Sequence, residues 1–202
     1  MTMFDSKKTA VVLIEYQNDF STPKGVLHDA VKGVMTRTNM LENSVRTVRA
    51  AREKGALIIH APITFSDDYR EMSTSIYGIL ANVKEGGAFK KSGWGGAFVD
   101  TMQPAAEDVV IEGKRGLCAF ASTNLDFILR QRGITTIALG GFLTNCCVES
   151  TMRSAYEKGY EVITLTDCVA TTSEEQQAAS IKFTYPMFSK PLAHGDFLAQ
   201  LA

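Results

Sequence analysis

Long apolar runs are missing from these 202 residues. No stretch approaches the ~18 consecutive apolar side chains of a membrane-spanning helix. The opening MTMFDSKKTAVVLIEY also lacks the charged, then apolar, then small layout of a cleavable signal. A soluble, cytoplasmic protein with no membrane partner is the expectation. Charge of one sign is missing too: 21 basic against 22 acidic residues leave a formal net charge of -1. Without a basic field there is nothing to draw the chain to a phosphate backbone, which excludes nucleic acid as a partner. Cysteine is sparse, at Cys118, Cys146, Cys147 and Cys168, with no CxxC pair. An eight-membered ring closed between Cys146 and Cys147 would be strained, so free thiols are expected. Repeats, low-complexity tracts and linkers are absent, and residues 1–202 read as one domain.

What is present is a globular balance, 45% hydrophobic and 21% charged residues, enough to build a sizeable core. Thr9 to Tyr16 (TAVVLIEY) is a short β-branched run of the kind buried on both faces of a sheet. Apolar residues near helical spacing predict a helix from Met35 to Lys54, closed by Gly55. Ala56 to His60 resumes strand character. From Pro62 to Pro104 the pattern weakens into a glycine-punctuated loop, of a length that usually serves function. Beyond it come a strand at Asp108 to Ile111, a helix at Ser122 to Arg130 and a strand at Thr135 to Leu139. A helix from about Asn145 to Lys158, a strand at Glu161 to Leu165 and a helix from about Glu174 to Phe183 follow. A short strand and helix within Met187 to Ala202 would close the sheet edge. Alternation of this kind predicts a doubly wound α/β fold with a mostly parallel sheet and helices on both faces.

In such sheets ligands bind beyond the carboxyl ends of the strands, where loops diverge and helix N-termini point inward. Glu15 ends the first strand, Lys114 follows the Asp108 strand, and GGFLTNCCVEST follows TTIAL. Cys147 falls in the first turn of a helix that Thr144 or Asn145 would cap. A helix dipole and a nearby ammonium lower a thiol's pKa, here from about 8.5 to about 6.5. Taken singly each residue has a plainer reading: Cys147 as a small buried side chain, Glu15 as a strand-end carboxylate, Lys114 as a solvated turn residue.

Taken together, VVLIEYQNDF, EGKRGLCAF, GGFLTNCCVESTMRSAYEKGY and VITLTDCVAT resemble the motifs of the isochorismatase-like cysteine hydrolases. The resemblance spans nearly the whole chain. It implies the six-stranded, three-layer, Rossmann-like fold of that superfamily. By the same match Cys147 is the nucleophile with Cys146 as spacer, Lys114 is the triad lysine, and Phe142–Leu143 is a non-proline cis peptide. The backbone N–H groups of Leu143 and Cys147 would form an oxyanion hole. A C–N bond of a small-molecule amide or ureide would be cleaved through a thioester, with no cofactor, by a homo-oligomer (dimer or tetramer).

One position departs from the pattern: the family's usual first-strand acid is Asp, and here it is Glu15. The added C–C bond of about 1.5 Å could misplace the proton donor, with Asp19 as the alternative acid. A non-catalytic binding or regulatory protein on the same fold is the competing expectation, and a redox sensor using Cys146 and Cys147 a third. The histidines His28, His60 and His194 lie outside the matched catalytic motifs, which argues against a Cys–His hydrolase. HAPITFSDDYR holds only His60 where the metal-dependent nicotinamidases carry an Asp and His cluster, so no metal is expected. Phe20, Phe65, Tyr69, Trp94 and Phe142 are the candidate pocket walls, with the glycines around Trp94 suited to a lid or a subunit contact.

Overall fold

The computed structural model describes residues 3–202. Its centre is a six-stranded sheet in the order β3-β2-β1-β4-β5-β6, with every adjacent pair parallel. The strands are β1 (Thr9–Ile14), β2 (Leu57–Ala61), β3 (Val109–Val110), β4 (Thr136–Phe142), β5 (Glu161–Ala170) and β6 (Lys190–Leu192). All six residues of β1 are buried, because alternate side chains serve opposite layers. Val11 and Leu13 enter one core, while Ala10, Val12 and Ile14 enter the other. A strand lying between two apolar layers cannot alternate polar residues, which is why TAVVLI reads as continuous hydrophobicity.

One layer is built by α2 (His28–Arg37), α3 (Met40–Glu53) and α9 (His194–Gln200). α5 (Leu125–Gln131), α6 (Glu149–Glu157) and α8 (Tyr185–Phe188) cover the other face. Shorter helices are α1 (Asn18–Ser21), α4 (Ile79–Gly86) and α7 (Glu174–Ala179). The single helix expected from Met35 to Lys54 is two, broken at Asn39, whose backbone is left-handed at φ 53°. Asn adopts that conformation more readily than most residues, and no Gly or Pro announces the break. Gly55 does stand at the helix end with φ 88°. The expected Asp108 to Ile111 strand shrinks to two residues at the sheet edge, and the Pro62 to Pro104 loop contains α4. β5 runs five residues past its expected end, through an irregular register against β4 between Leu139 and Gly141.

The chain order reverses at β1, whose neighbours β2 and β4 lead to opposite edges of the sheet. Ends of such strands diverge and leave a crevice between their loops. Gly141 is required there. Its φ is 128°, and a Cβ on it would lie 1.9 Å from the carbonyl oxygen of Ile14, so only glycine lets β4 close on the end of β1.

Candidate active site

The crevice between β1 and β4 gathers the candidate residues Glu15, Lys114 and Cys147. Glu15 follows β1 directly with a left-handed backbone, φ 60°, uncommon for a non-glycine residue and most frequent where a site constrains the chain. Lys114 comes from the loop after β3, turned inward by Gly113, whose φ is 91° and whose missing Cβ makes room for the Ser122 carbonyl. The Lys114 ammonium donates to a Glu15 carboxylate oxygen and to the Gly116 carbonyl at 2.9 Å. The side chains of the pair are 0% and 2% exposed. Burial opposes the ammonium, but the Glu15 carboxylate outweighs it, and Lys114 holds its proton above the ordinary lysine range.

Cys147 lies in the π-helical turn Thr144–Val148 that leads into α6. Neither expected cap works as one, because tertiary partners claim both side chains. The Thr144 hydroxyl donates to Gln177 at 2.5 Å, and Asn145 Oδ1 accepts from Thr171 at 2.6 Å. Thr151 ties this turn to the lysine loop: its hydroxyl donates to the Cys147 carbonyl at 2.7 Å and accepts from the Ala119 N–H at 3.0 Å. The expected depressed thiol pKa is overturned. The adjoining Cys146 sulfur, burial and the Glu15 carboxylate together push the Cys147 thiol well above its ordinary value, against the pull of Lys114. That ammonium is already engaged by Glu15, and a thiol that is 4% exposed has little water to stabilise its anion.

The Phe142–Leu143 peptide is cis. The Leu143 N–H donates to no backbone or side-chain acceptor among the described residues, while the Leu143 carbonyl accepts from Cys146 and Val148 at 3.0 and 3.2 Å. Leu143, Cys147 and Glu15 line one cavity of about 210 Å³, walled by α2, α4 and the loops beside them. Of the five aromatic residues expected to line it, only Phe20 does. Phe142 is fully buried behind it, stacked on the Phe20 ring at 4.9 Å. Phe65 faces an adjoining groove of about 630 Å³ that shares Ile79, Leu80 and Leu117 with the cavity. Tyr69 is buried with its hydroxyl donated to the Ala88 carbonyl, and Trp94 is 52% exposed at the surface.

Asp19 is spent elsewhere, on the N–H of Phe89 at 2.7 Å and of Val26 at 3.4 Å, and it does not line the cavity. Sequence reasoning missed its neighbour Gln17. The buried Gln17 amide donates to the Ile63 and Gly96 carbonyls at 2.8 and 2.7 Å, and accepts from the Ile63 N–H at 2.9 Å. Asn18 adds a bond to the Trp94 carbonyl at 2.9 Å. QND thus clasps the glycine-rich segment to the end of β1. Three adjacent side chains with amide or carboxylate oxygens, just past a buried strand, were the available signal. The wall residues from α2 and α4, such as Val31, Leu80 and Val83, were missed for want of any motif.

Two polar groups lie apart from the cavity. His60 contacts Asp108 at 3.1 Å, both side chains 1% exposed, and burial keeps the imidazole below its usual pKa. Asp167, Cys168 and His194 bring metal-ligand types within 4.8 Å of one another. Asp167 already accepts from the His194 N–H at 2.8 Å and meets its Nδ1 at 2.6 Å. Burial first of all pushes the Cys168 thiol up to about 12. The trio anchors the start of α9 to β5.

A doubly wound parallel sheet with a thiol, a carboxylate and an ammonium gathered at its switch point defines the class. The isochorismatase domain model matches residues 9–196, and the chain belongs to that family of hydrolases. Isochorismatase family protein YwoC of Bacillus subtilis (strain 168) is 30% identical over 98% of this chain and 96% of its own. Ureidoacrylate amidohydrolase RutB of Agrobacterium fabrum (strain C58) is 30% identical over 79% of this chain and 75% of its own. The crystal structure of a cysteine hydrolase from Pseudomonas syringae pv. phaseolicola 1448A superposes with a TM-score of 0.87 at 22% identity, covering 99% of this chain and 95% of that one.

Proposed function

We propose that the protein hydrolyses a C–N bond of a small amide or ureide, with Cys147 as nucleophile, Glu15 as acid and base, and Lys114 as its electrostatic partner. The observation that carries this reading is the shared cavity of Cys147, Glu15 and Leu143, with the Lys114 ammonium buried against Glu15. Similarity to the ureidoacrylate amidohydrolase supports the bond class.

In this mechanism the resting sulfur is a thiol. As it attacks the substrate carbonyl carbon, an S–C bond forms and the thiol proton passes to Glu15. The N–H groups of Leu143 and Cys147 take the developing oxyanion, each donor contributing about 3 kcal/mol in acyl transfer. Collapse of the adduct breaks the C–N bond, and Glu15 returns the proton to the departing ammonia or amine. Water then gives a proton to Glu15 and its oxygen to the thioester carbon. The C–S bond breaks, the acid leaves, and the sulfur recovers its proton. Lys114 keeps Glu15 oriented and stabilises its charge while no proton is on it.

An ammonia-release screen over small amides and ureides tests this, read against Cys147→Ala. Turnover by the wild type that vanishes in the variant is expected. Turnover that survives the substitution removes Cys147 from the mechanism, and its absence from every substrate favours the binding-protein alternative.

A further inference from the structure

We infer that the substrate presents an uncharged, apolar acyl group of about four to seven carbons to the cavity, an inference that rests on the proposed amide hydrolysis. Apart from Glu15 and Cys147, the only polar residues among the described residues that line the cavity are Asn82 and Thr172. The remaining wall is apolar, with Phe20 from α1, Val31 from α2, Ile63 after β2, Leu80 and Val83 from α4, and Leu117. No Lys, Arg or His lines it among the described residues.

Charge decides the class. Lys114 is buried against Glu15 and the Gly116 carbonyl, so its ammonium is committed. Arg115 faces the adjoining groove and not the cavity, where its guanidinium meets Glu71 at 3.4 Å and Thr64 at 3.3 Å. A substrate carboxylate inside the cavity would therefore give up water without gaining a cation, and would share the space with the Glu15 carboxylate. An alkyl or aryl group there exchanges water for Phe, Leu, Ile and Val surface. Size follows from volume: about 150 Å³ already accommodates benzene, so about 210 Å³ suits a benzamide or a branched aliphatic amide. Ureidoacrylate, which the similar enzyme from Agrobacterium fabrum is named for, carries a carboxylate and falls on the disfavoured side.

Two isosteric pairs isolate the charge: 4-methylpentanamide against succinamate, and isobutylurea against N-carbamoylglycine. Ammonia release by the wild-type protein is measured for each, with protection of Cys147 from iodoacetamide at pH 9 read on its own peptide by mass spectrometry. The expected result is a kcat/KM at least about 100-fold higher for the apolar member of a pair, the discrimination of an uncompensated buried charge, with matching protection. Equal or better turnover of the carboxylate members overturns the inference. Should no compound release ammonia, the hydrolase reading fails on its own. In that case protection by 4-methylpentanamide and not by succinamate still upholds the apolar cavity, and protection by neither, or by both equally, overturns it.

Discussion

A thiol buried beside a carboxylate behaves differently from one beside a free cation, and Cys147 is of the first kind. Its alkylation by iodoacetamide should rise with pH along a curve whose midpoint lies above the ordinary thiol value of about 8.5. A midpoint near 6.5, read by mass spectrometry of the Cys147 peptide, would show an ammonium acting directly on the sulfur and discredit a resting thiol. Glu15 gives a second test at this scale. Glu15→Gln removes the proposed proton acceptor and leaves the Lys114 ammonium buried without a charge partner. Activity should be lost, and stability should fall by about 3 kcal/mol, the usual cost of breaking a buried pair, measured by urea denaturation. Glu15→Asp tolerates the left-handed backbone but withdraws the carboxylate by one C–C bond, about 1.5 Å. With near-attack geometry disturbed, kcat should drop roughly 100-fold while the fold persists. An unchanged kcat would mean that the arm length is immaterial.

Among the elements, the short stretch after β1 governs how the cavity wall is held. Gln17 makes three hydrogen bonds that join the end of β2 to the glycine-rich segment. Gln17→Ala leaves buried backbone groups of Ile63 and Gly96 without those partners, at a cost of about 1–3 kcal/mol for each unsatisfied group. The variant should melt earlier, exchange the amides around residues 63 and 86–97 faster, and raise KM, since Ile63 and Phe89 line the cavity. Normal exchange in that segment would show that Asn18, Asp19 and the backbone bonds to Ala97 and Val99 hold it without Gln17. Legibility at this scale was uneven. TAVVLI and the TIAL start of β4 were readable because burial on both faces leaves an uninterrupted apolar run. Asn39 hid a helix break, since its left-handed backbone requires no glycine. Thr144 and Asn145 looked like caps because their residue types are caps, and only the packing of α7 and of the segment after β5 shows that Gln177 and Thr171 take their side chains.

Across the whole molecule, stability should peak between about pH 6.5 and 8.5, with the sign set by buried groups whose proton affinity is displaced. Cys147, Cys168 and Lys114 bind their protons more tightly folded than unfolded. Their contributions are complete below the unfolded values, about 8.5 for the two thiols and about 10.4 for the ammonium, and are lost as pH rises through the folded values. His60 and Asp108 are displaced downward, the first by burial, the second because Arg52, Ala105 N–H and His60 overcome the effect of its own burial. Their contributions are present above about 6.5 and 3.9 and are lost as pH falls through the folded values. Urea midpoints across the pH range should show this plateau. Cys147→Ala should make the decline above about pH 8.5 shallower, with Cys168 supplying what remains, and an unchanged slope would assign the decline to other groups.

The chain by itself determined the succession of apolar runs along it, their alternation with helices and the motif positions of Glu15, Lys114 and Cys147, because these depend on local pattern and residue type. Only the tertiary structure decided that Lys114 is committed to Glu15, that the thiol stays protonated at rest, and that the cavity wall, among the described residues, is apolar and without a cation. Those properties arise from which side chains meet across β1, β3 and β4 and how little water reaches them. Proton affinity and ligand charge are set by neighbours in space, and neighbours 99 residues apart, as Glu15 and Lys114 are, leave no trace in local spacing.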